Sequence, residues 1–382
     1  MGWDQGAKWL KENAAAGERV DLAKCVTSMY RGETWGLDGN WALMRCIKTK
    51  GISDLLWPEP KIPCYDILTS FRPMKKHLDR LEVKLVIVFD GFDGIPYPSK
   101  ERVTKMRRQQ GERSKVLLEE FLKSGNVFDV EKAGRDGCNI VKVEPYIIGL
   151  VIQWAKEEKI DVRVAPFEAD WQLYGLEQEN LIQRCITVDS DFVPLGCTVL
   201  LHIEKLIFSP ICSLKAQTML FKSITSAAIS EQLVENDTSI LDMGSKLTRE
   251  QFIQYITLVG CDYVAHIPYI TPTKAFALMA YELFYCVKPC DTTQDAMMQA
   301  DGLKKAFIKA KYKENFHAAE GIARANQQCL PYSSFDEWME ALEKARNLLV
   351  DPPYFGTVET PLNDGSHAQE RRVDMLGAHS HK

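Results

Sequence analysis

Six acidic residues follow four apolar, strand-like runs of the sequence. The runs are "TWGLD", "KLVIVFD", "DVRVAP" and "RCITV", and the acids at or just beyond their ends are Asp38, Asp90, Glu168, Asp170, Asp189 and Asp191. The carboxyl ends of parallel strands meet at one edge of a sheet, so these carboxylates should lie close together. Packed carboxylates stay ionised only beside a compensating cation, and hard oxygen donors suit Mg²⁺ or Mn²⁺. Two such ions about 4 Å apart would form a phosphodiester-cleaving site.

Each acid taken alone has a purely structural explanation. Asp38 or Asp90 after a strand is typical of a turn residue or a helix N-cap. Glu168 and Asp170 fit the first turn of a helix that has Pro166 at its first position. In "VDSD", side chains two residues apart in an extended segment point the same way, which would aim Asp189 and Asp191 at one point. The metal interpretation therefore depends on the joint pattern.

The elements that would position these acids alternate along the chain. The segment "VEPYIIGLVIQWAKEEK" places Ile147, Leu150, Val151 and Trp154 at helical spacing, between runs that have the apolar character of buried strands. This alternation predicts an α/β fold with a mostly parallel central sheet flanked by helices. We expect a core over 1–208, a variable insertion over 209–247, a helical duplex-binding region over 248–350 and a mobile tail over 351–382.

Composition narrows the class of protein. The 382 residues are 46% hydrophobic and 26% charged, which predicts a soluble protein with one large core or two smaller ones. No apolar run approaches the roughly 18 to 20 residues that span a bilayer, so no membrane partner is expected. Eleven cysteines without metal-ligand spacing favour reduced thiols in an intracellular protein. The net charge of −5 argues only weakly against nucleic acid, because local charge decides binding.

A basic stretch follows the second acidic strand end. Residues 100–115 hold seven Lys or Arg against two Glu, and on a helix four of them share one stripe: Lys100, Arg107, Arg108 and Lys115. Such a run is typical of a solvated face. Next to a metal site, it would instead neutralise a scissile phosphate and guide a single strand.

The motifs together resemble one known family. "GLDGNWALMR", "VIVFDG", "APFEADWQLYGLE", "TVDSDFVPLGC" and "LVGCDYVAHIPYITPTKAF" match in order and spacing the 5′ nuclease superfamily of flap endonuclease, exonuclease-1 and XPG-like proteins. The match covers roughly residues 1 to 285, and the short basic stretch over about 97–125 favours the exonuclease-1 branch. The resemblance implies a PIN-like 5′ nuclease core, a helical arch and a C-terminal region similar to a helix-hairpin-helix.

The resemblance also implies roles for individual residues. One Mg²⁺ would be held by Asp38, Asp90, Glu168 and Asp170, and a second by Asp189, Asp191 and Asp262, with Mn²⁺ able to substitute. Lys100 and Arg107 would contact the reacting phosphate as catalytic cations. The remaining DNA contacts would come from Gly2, Arg45, Arg108, Lys115, Thr271, Thr273 and Lys274. Met44 stands where the family often has an aromatic residue or His that stacks on DNA.

The hairpin departs from the family pattern. Its usual Gly-x-Gly lets backbone N–H groups approach a phosphate, and its oxygens hold a monovalent cation. This chain instead reads Tyr269-Ile270-Thr271-Pro272, which predicts a missing phosphate contact and little dependence on K⁺. Lys274, at the start of the next helix, would replace part of that contact.

The sequence thus predicts a structure-specific 5′ nuclease that cleaves DNA by two-metal-ion catalysis. The resemblance implies 5′-3′ exonuclease or 5′-flap endonuclease activity in DNA repair, recombination or replication, in the nucleus. Its partner would be DNA with 5′ ends, nicks or flaps; no sliding-clamp motif is present and a monomer is expected. Two alternatives stay open: a catalytically weak or silent scaffold that binds branched DNA, and an RNA-directed 5′-3′ exonuclease.

Overall fold

The computed structural model describes most, but not all, of the 382 residues. The main described ranges are 20–21, 26–49, 71–91, 145–187, 191–197, 199–201, 207–211, 248–286 and 294–354, with single positions such as 68, 100 and 189 and nine positions between 105 and 123. The chain divides into two compact units. A sheet unit comprises 18–188, 197–210 and 352–382, and a helical unit comprises 1–17, 189–196 and 211–351.

Among the described residues, the sheet has seven strands: β1 (Val20–Asp21), β2 (Thr34–Asp38), β3 (Lys84–Phe89), β4 (Asp161–Val164), β5 (Arg184–Ile186), β6 (Val199–Leu201) and β7 (Ile207–Ile211). Their spatial order is β1-β7-β6-β5-β2-β3-β4. The five strands from β6 to β4 are parallel neighbours, and β1 pairs antiparallel with β7. From β2, the sheet extends through β3 and β4 on one side and through β5 and β6 on the other. The direction in which the chain adds strands therefore reverses between β2 and β5. Ligands bind at such a switch point in open α/β sheets.

Nine helices accompany the strands in the part of the chain that the structure describes. They are α1 (Gly39–Thr49), α2 (Phe71–Arg80), α3 (Pro145–Glu157), α4 (Ala169–Gln178), α5 (Phe192–Leu195), α6 (Arg249–Val259), α7 (Pro272–Cys286), α8 (Gln294–Ala325) and α9 (Phe335–Val350). The predicted α/β fold with a mostly parallel sheet is confirmed. No helix among these residues is long and apolar enough to cross a membrane.

The sheet unit has its core between β2, β3 and the helices that cover them. Trp35, Leu37, Ile87 and Phe89 are fully buried and pack with side chains of α2 and α3. All residues of β3 after Lys84 are buried, so both faces of this strand are covered. This explains why "KLVIVF" is a continuous apolar run rather than an alternating one. The short run therefore forms a central strand that ends just before Asp90.

The sheet unit also uses a residue far along the chain. Tyr354 packs edge-on against Tyr174 of α4, with ring centroids 6.2 Å apart. Its ring lies so close over Gly175 that any Cβ there would collide with it. Glycine at 175 is therefore required by the aromatic ring that covers this helix.

An aromatic cluster links two helices of the helical unit. Tyr312, Phe316, Phe335 and Trp338 join α8 to α9, and the ring of Phe316 stacks on Trp338 with centroids 5.6 Å apart. α6 begins at a capping box, in which Thr248 accepts a hydrogen bond from Gln251 N–H and the Gln251 side chain accepts one from Thr248 N–H. α6 thus starts at the beginning of the stretch, residues 248–350, that the sequence predicts to be helical.

Candidate metal centre

Asp38 is the last residue of β2 and caps the helix that follows. Its Oδ1 accepts a hydrogen bond from Trp41 N–H at 2.9 Å, and its Oδ2 accepts one from the Thr187 hydroxyl at 3.3 Å. The side chain is buried, at 7% exposure. Because a carboxylate offers about four lone-pair positions, both bonds leave room for a cation. The N-cap interpretation and the metal interpretation of Asp38 are thus compatible.

Asp90, one residue beyond β3, caps a helix that lies 79 residues further along the chain. Its Oδ1 accepts a hydrogen bond from Ala169 N–H, the first residue of α4, at 2.7 Å. Its Oδ2 accepts a hydrogen bond from the side-chain amide of Asn40. Glu168, the N-cap residue by position, makes no side-chain cap bond of its own. Asp90 therefore stabilises the start of α4 and leaves the Glu168 carboxylate available for other contacts.

Backbone pairing brings the ends of β3 and β4 together around Asp90. Gly91 N–H donates to Phe167 C=O at 2.8 Å, and Ala165 N–H donates to Phe89 C=O at 2.8 Å. A Cβ on Gly91 would lie 2.7 Å from Pro166 C=O, so only glycine fits this approach. These contacts fix Asp90 beside the segment that carries Glu168.

Glu168 is paired with a buried lysine. Lys100 Nζ lies 2.9 Å from Glu168 Oε2, and the two side chains are only 11% and 20% exposed. Lys100 therefore lies beside one of the acids predicted to hold a cation, and its predicted contact with a phosphate stays a prediction. An ammonium group this close to two carboxylates partly offsets their repulsion.

The electrostatics of Asp90 show how strongly these acids interact. Burial first, and then the neighbouring Glu168 charge, raise the pKa of Asp90 to about 6, although the Ala169 N–H, Lys100 and the Asn40 amide oppose the shift. A carboxylate whose ionised form is disfavoured by burial and a like charge is stabilised by a nearby divalent cation. Asn40 Oδ1 is also buried and has no hydrogen-bond partner among the described residues, so it adds a neutral oxygen beside Asp90.

Asp170 lies in the first turn of α4 and is 7% exposed. Since Asp90 caps this same helix, the structure brings Asp38, Asp90, Glu168 and Asp170 to one region of the sheet unit. No three of these carboxylates have their oxygens all within 4.8 Å of one another in the described part of the chain. The four acids share this region of the sheet unit, and their role as metal ligands stays a prediction.

The other three predicted acids belong to the helical unit. β5 ends at Ile186, and Asp189 Oδ1 accepts a hydrogen bond from Asp191 N–H at 3.1 Å. The strand therefore ends before "VDSD", and the bond to the Asp189 carboxylate is a local contact that favours a turn over a continued strand. Asp191 is 1% exposed and Asp262 is 9% exposed. Burial first, and then the charges of Asp191 and Asp262, raise the pKa of the Cys261 thiol, so both acids lie near that residue.

The hairpin before α7 has an unusual backbone. Tyr269 adopts φ +76°, a conformation that glycine takes without strain. Its hydroxyl accepts a hydrogen bond from the Asn326 side-chain amide at 2.8 Å. Thr271 Oγ1 accepts a hydrogen bond from Lys274 N–H at 3.3 Å and so caps α7. The predicted contacts Thr271, Thr273 and Lys274 thus lie in one helical first turn.

Several predicted residues have little or no described structure. Arg108 is one of nine described positions between 105 and 123, all of which are helical and exposed. Arg45 belongs to α1, although only its backbone is described. Gly2, Arg107 and Lys115 lie outside the described residues. Their roles, the helical arch and the helix-hairpin-helix-like region remain predictions.

Sequence reasoning missed two residues of the site. Asn40 and Thr187 bind Asp90 and Asp38 respectively, at separations of 50 and 149 residues. Asn40 stands in "GLDGNW", two residues after Asp38. This short separation from a candidate metal ligand could have indicated that the Asn40 amide lies near the carboxylates. Thr187 carries no comparable local signal, because its contact depends on β5 lying beside β2.

Comparison with known proteins agrees with this geometry. The XPG I-region family matches residues 159–262. Exodeoxyribonuclease 1 of Saccharomyces cerevisiae is 30% identical over 243 residues, which cover 63% of this chain and 30% of that protein. DNA damage-inducible protein DIN7 of the same yeast is 24% identical over 286 residues, which cover 74% of this chain and 59% of that protein. The chain thus spans less than two thirds of the length of these relatives.

Among solved structures, the catalytic core of Rad2 in complex with DNA substrate is similar, with a TM-score of 0.50. The identity is 17%, and the alignment covers 92% of this chain and 87% of that one, a likeness that shows the fold alone. The family match lies within the part of the chain that carries Glu168, Asp170, Asp189, Asp191 and Asp262. Over the matched residues, the chain is therefore similar to XPG I-region proteins and to exodeoxyribonuclease 1.

Proposed function

We propose that the protein is a metal-dependent nuclease that hydrolyses DNA phosphodiesters from 5′ ends, nicks or flaps. The observation that carries the proposal is the arrangement of Asp90, Glu168 and Lys100, in which two carboxylates and one ammonium meet beyond the ends of β3 and β4. This combination suits phosphodiester hydrolysis, because the two carboxylates would hold a divalent metal ion and the Lys100 ammonium would attract the phosphate.

The donor set fits Mg²⁺. The acids proposed to hold one ion are Asp38, Asp90, Glu168 and Asp170, and those proposed for a second are Asp189, Asp191 and Asp262. All are hard oxygen donors, and the raised pKa of Asp90 together with the unpartnered Asn40 Oδ1 makes a cation favourable on the sheet unit. When bound, the ions would supply Lewis acidity that activates water and stabilises charge on the leaving oxygen. Mn²⁺ has the same preference for oxygen donors.

Lys100 has two uses in this proposal. Its bond to Glu168 makes it an internal counter-ion for a carboxylate that is also a proposed metal ligand. If Glu168 held a divalent cation, it would no longer need the ammonium as its counter-ion, and Lys100 would be placed to contact a phosphate oxygen. Lys100 and Arg107 then stabilise the negative charge that grows on the scissile phosphate in the transition state.

Contacts with DNA away from the scissile bond are proposed for Gly2, Arg45, Arg108, Lys115, Thr271, Thr273 and Lys274. The start of α7 favours a phosphate because Thr271 caps it and Lys274 brings a positive charge to its first turn. The names of the relatives, exodeoxyribonuclease 1 and DNA damage-inducible protein, support a role in DNA repair or recombination in the nucleus. We also propose that the protein acts as a monomer and without a sliding-clamp partner.

The test is cleavage of 5′-labelled flap, nicked duplex and single-stranded RNA, with and without Mg²⁺. We expect cleavage of the two DNA substrates, dependent on Mg²⁺ and abolished in Asp90→Asn, with Asp161→Asn as a matched control on the exposed start of β4. Mg²⁺-dependent cleavage of RNA alone would replace the proposal with an RNA exonuclease. Tight binding of branched DNA without cleavage would replace it with a scaffold.

A further inference from the structure

Three metal-binding side chains meet inside the sheet unit, away from the carboxylate set described above. Glu177 on α4, Cys185 on β5 and Cys197 just before β6 have ligand atoms that all lie within 4.8 Å of one another. Cys185 Sγ is 3.7 Å from Glu177 Oε2. The two thiols are 0% and 1% exposed, whereas Glu177 is partly exposed.

The fold fixes this cluster through its most rigid elements. Cys185 is aligned with Gly36 on β2 and with Val199 on β6, in the parallel part of the sheet. A Cβ at Gly36 would collide with Leu173 of α4, so this face of the sheet packs against α4. Cys185 shares that face because aligned residues of neighbouring strands point to the same side. Cys197, two residues before Val199, completes the group.

The donor types and spacing match a known kind of metal site. In a tetrahedral zinc site, bond lengths of about 2.3 Å to sulfur and about 2.1 Å to oxygen place the two ligand atoms about 3.6 Å apart. The observed sulfur-to-oxygen distance is 3.7 Å. Soft thiolates select Zn²⁺ over Mg²⁺ and Mn²⁺, so this site would not compete with the carboxylates for the same ion.

We propose that Glu177, Cys185 and Cys197 form a site for a thiophilic divalent cation of the Zn²⁺ class. A fourth position is left for water or another ligand, which can enter on the exposed side of Glu177. The ion would fasten α4 to β5 and β6. Because Asp170 lies seven residues before Glu177 on the same helix, the ion would also fix the turn that carries this proposed Mg²⁺ ligand.

Charge balance is consistent with the site. Burial raises the pKa of the Cys185 thiol well above its usual range and also raises that of Cys197. Without a metal, both groups are therefore neutral thiols, one of which donates a weak hydrogen bond to Glu177. A divalent cation would displace the two thiol protons, so its affinity should rise with pH.

The proposal is tested by titrating metal-free, fully reduced protein with Co²⁺. We expect one equivalent to produce a thiolate-to-cobalt charge-transfer absorption and the ligand-field bands of tetrahedral Co²⁺, and one equivalent of Zn²⁺ to remove both. Glu177→Gln keeps the size and the hydrogen-bond acceptor of the side chain, so it should fold normally. Loss of the charged ligand should weaken Co²⁺ binding at least about tenfold.

Matched variants separate this site from other thiols and from the catalytic proposal. Cys197→Ser should remove the charge-transfer absorption, whereas Cys329→Ser, at an exposed cysteine of the helical unit, should keep it. Asp170→Asn should also keep it, even though this change weakens the proposed Mg²⁺ site. Absence of the absorption from the unmodified protein, or an unchanged absorption in Cys197→Ser, would overturn the proposal and leave the nuclease assignment untouched.

Discussion

Asp90 Oδ1 accepts a hydrogen bond from Ala169 N–H at 2.7 Å. The residue that follows β3 therefore caps α4, the helix that follows β4. The same carboxylate contacts the Asn40 amide and lies near Glu168 and Lys100. A single side chain thus links β3, α1 and α4 at the place where the proposed metal ligands gather.

Asp90→Asn should separate metal binding from folding. Asparagine keeps an oxygen that can accept from Ala169 N–H, but it removes a charge that burial and Glu168 disfavour. In the absence of divalent cations, we therefore expect thermal stability equal to or above that of the parent. Mn²⁺ affinity, measured by isothermal titration calorimetry, should fall at least about tenfold, or about 1.4 kcal/mol. Equal Mn²⁺ affinity in the two proteins would remove Asp90 from the ligand set.

Lys100→Met should have opposite effects on metal affinity and on turnover. Loss of the ammonium frees Glu168, so Mn²⁺ should bind several-fold more tightly, while turnover should fall by about 100-fold because one transition-state cation is lost. Lys105→Met, an exposed neighbour in the helical stretch, is the matched control. If Lys100→Met only raised the KM for DNA and left kcat unchanged, Lys100 would be a binding residue rather than a catalytic one.

Arg249→Met tests how the segment that contains Asp191 is held. Arg249 Nη2 donates to Leu349 C=O at 2.7 Å, and Nε donates to Pro194 C=O at 3.2 Å. Methionine fills a similar volume and leaves both carbonyls without their donor, so unfolding free energy should fall by about 2 kcal/mol. Chemical denaturation would measure this change. Arg324→Met, at a side chain 78% exposed, should change stability by less than about 0.5 kcal/mol.

The Tyr269 hydroxyl and Asn326 should stabilise the hairpin as a pair. Tyr269→Phe and Asn326→Ala each remove the 2.8 Å hydrogen bond, and each should cost about 1 kcal/mol. In a double-mutant cycle, the second change should cost little once the first is made. Fully additive costs would show that this bond does not support the positive φ of Tyr269.

Lys274→Ala should weaken duplex binding in a manner that depends on salt. Loss of one phosphate contact should lower the slope of log affinity against log salt by about one unit, without regard to base sequence. Fluorescence anisotropy with nicked duplex over a range of KCl concentrations measures this slope, and Lys309→Ala on α8 is the control. Replacing KCl by NaCl should leave affinity unchanged, because the hairpin lacks the glycines of the family pattern. An unchanged slope would exclude Lys274 as a phosphate contact.

Strands β2, β3, β4 and β5 and several helices were predictable because their signals are local, whereas β1, β6 and β7 were not predicted. "KLVIVF" is apolar throughout since β3 is buried on both faces, and Thr248 with Gln251 spells out a capping box. The acids at the strand ends were predictable for the same reason, as the chain must turn there. Local patterns also gave the helical spacing of α3 correctly.

The contacts that shape the site were not predictable, because they join distant parts of the chain. Nothing near Asp90 indicates that it caps a helix 79 residues away, and nothing near Thr187 indicates its bond to Asp38. Cys185 and Cys197 lack metal-ligand spacing, and only the order of the strands brings them to Glu177. The turn at Asp189 was missed because an aspartate that accepts its neighbour's N–H competes with strand extension.

The position of Tyr354 over Gly175 has a consequence for synthesis of the protein on the ribosome. The sheet unit is assembled from three separate stretches of the sequence, with stretches of the helical unit between them. The ring that covers α4 is translated about 180 residues after the helix itself, at roughly 10 to 35 s of further elongation. Until Tyr354 has been synthesised, Gly175 and Tyr174 therefore lack the ring that covers them in the folded sheet unit.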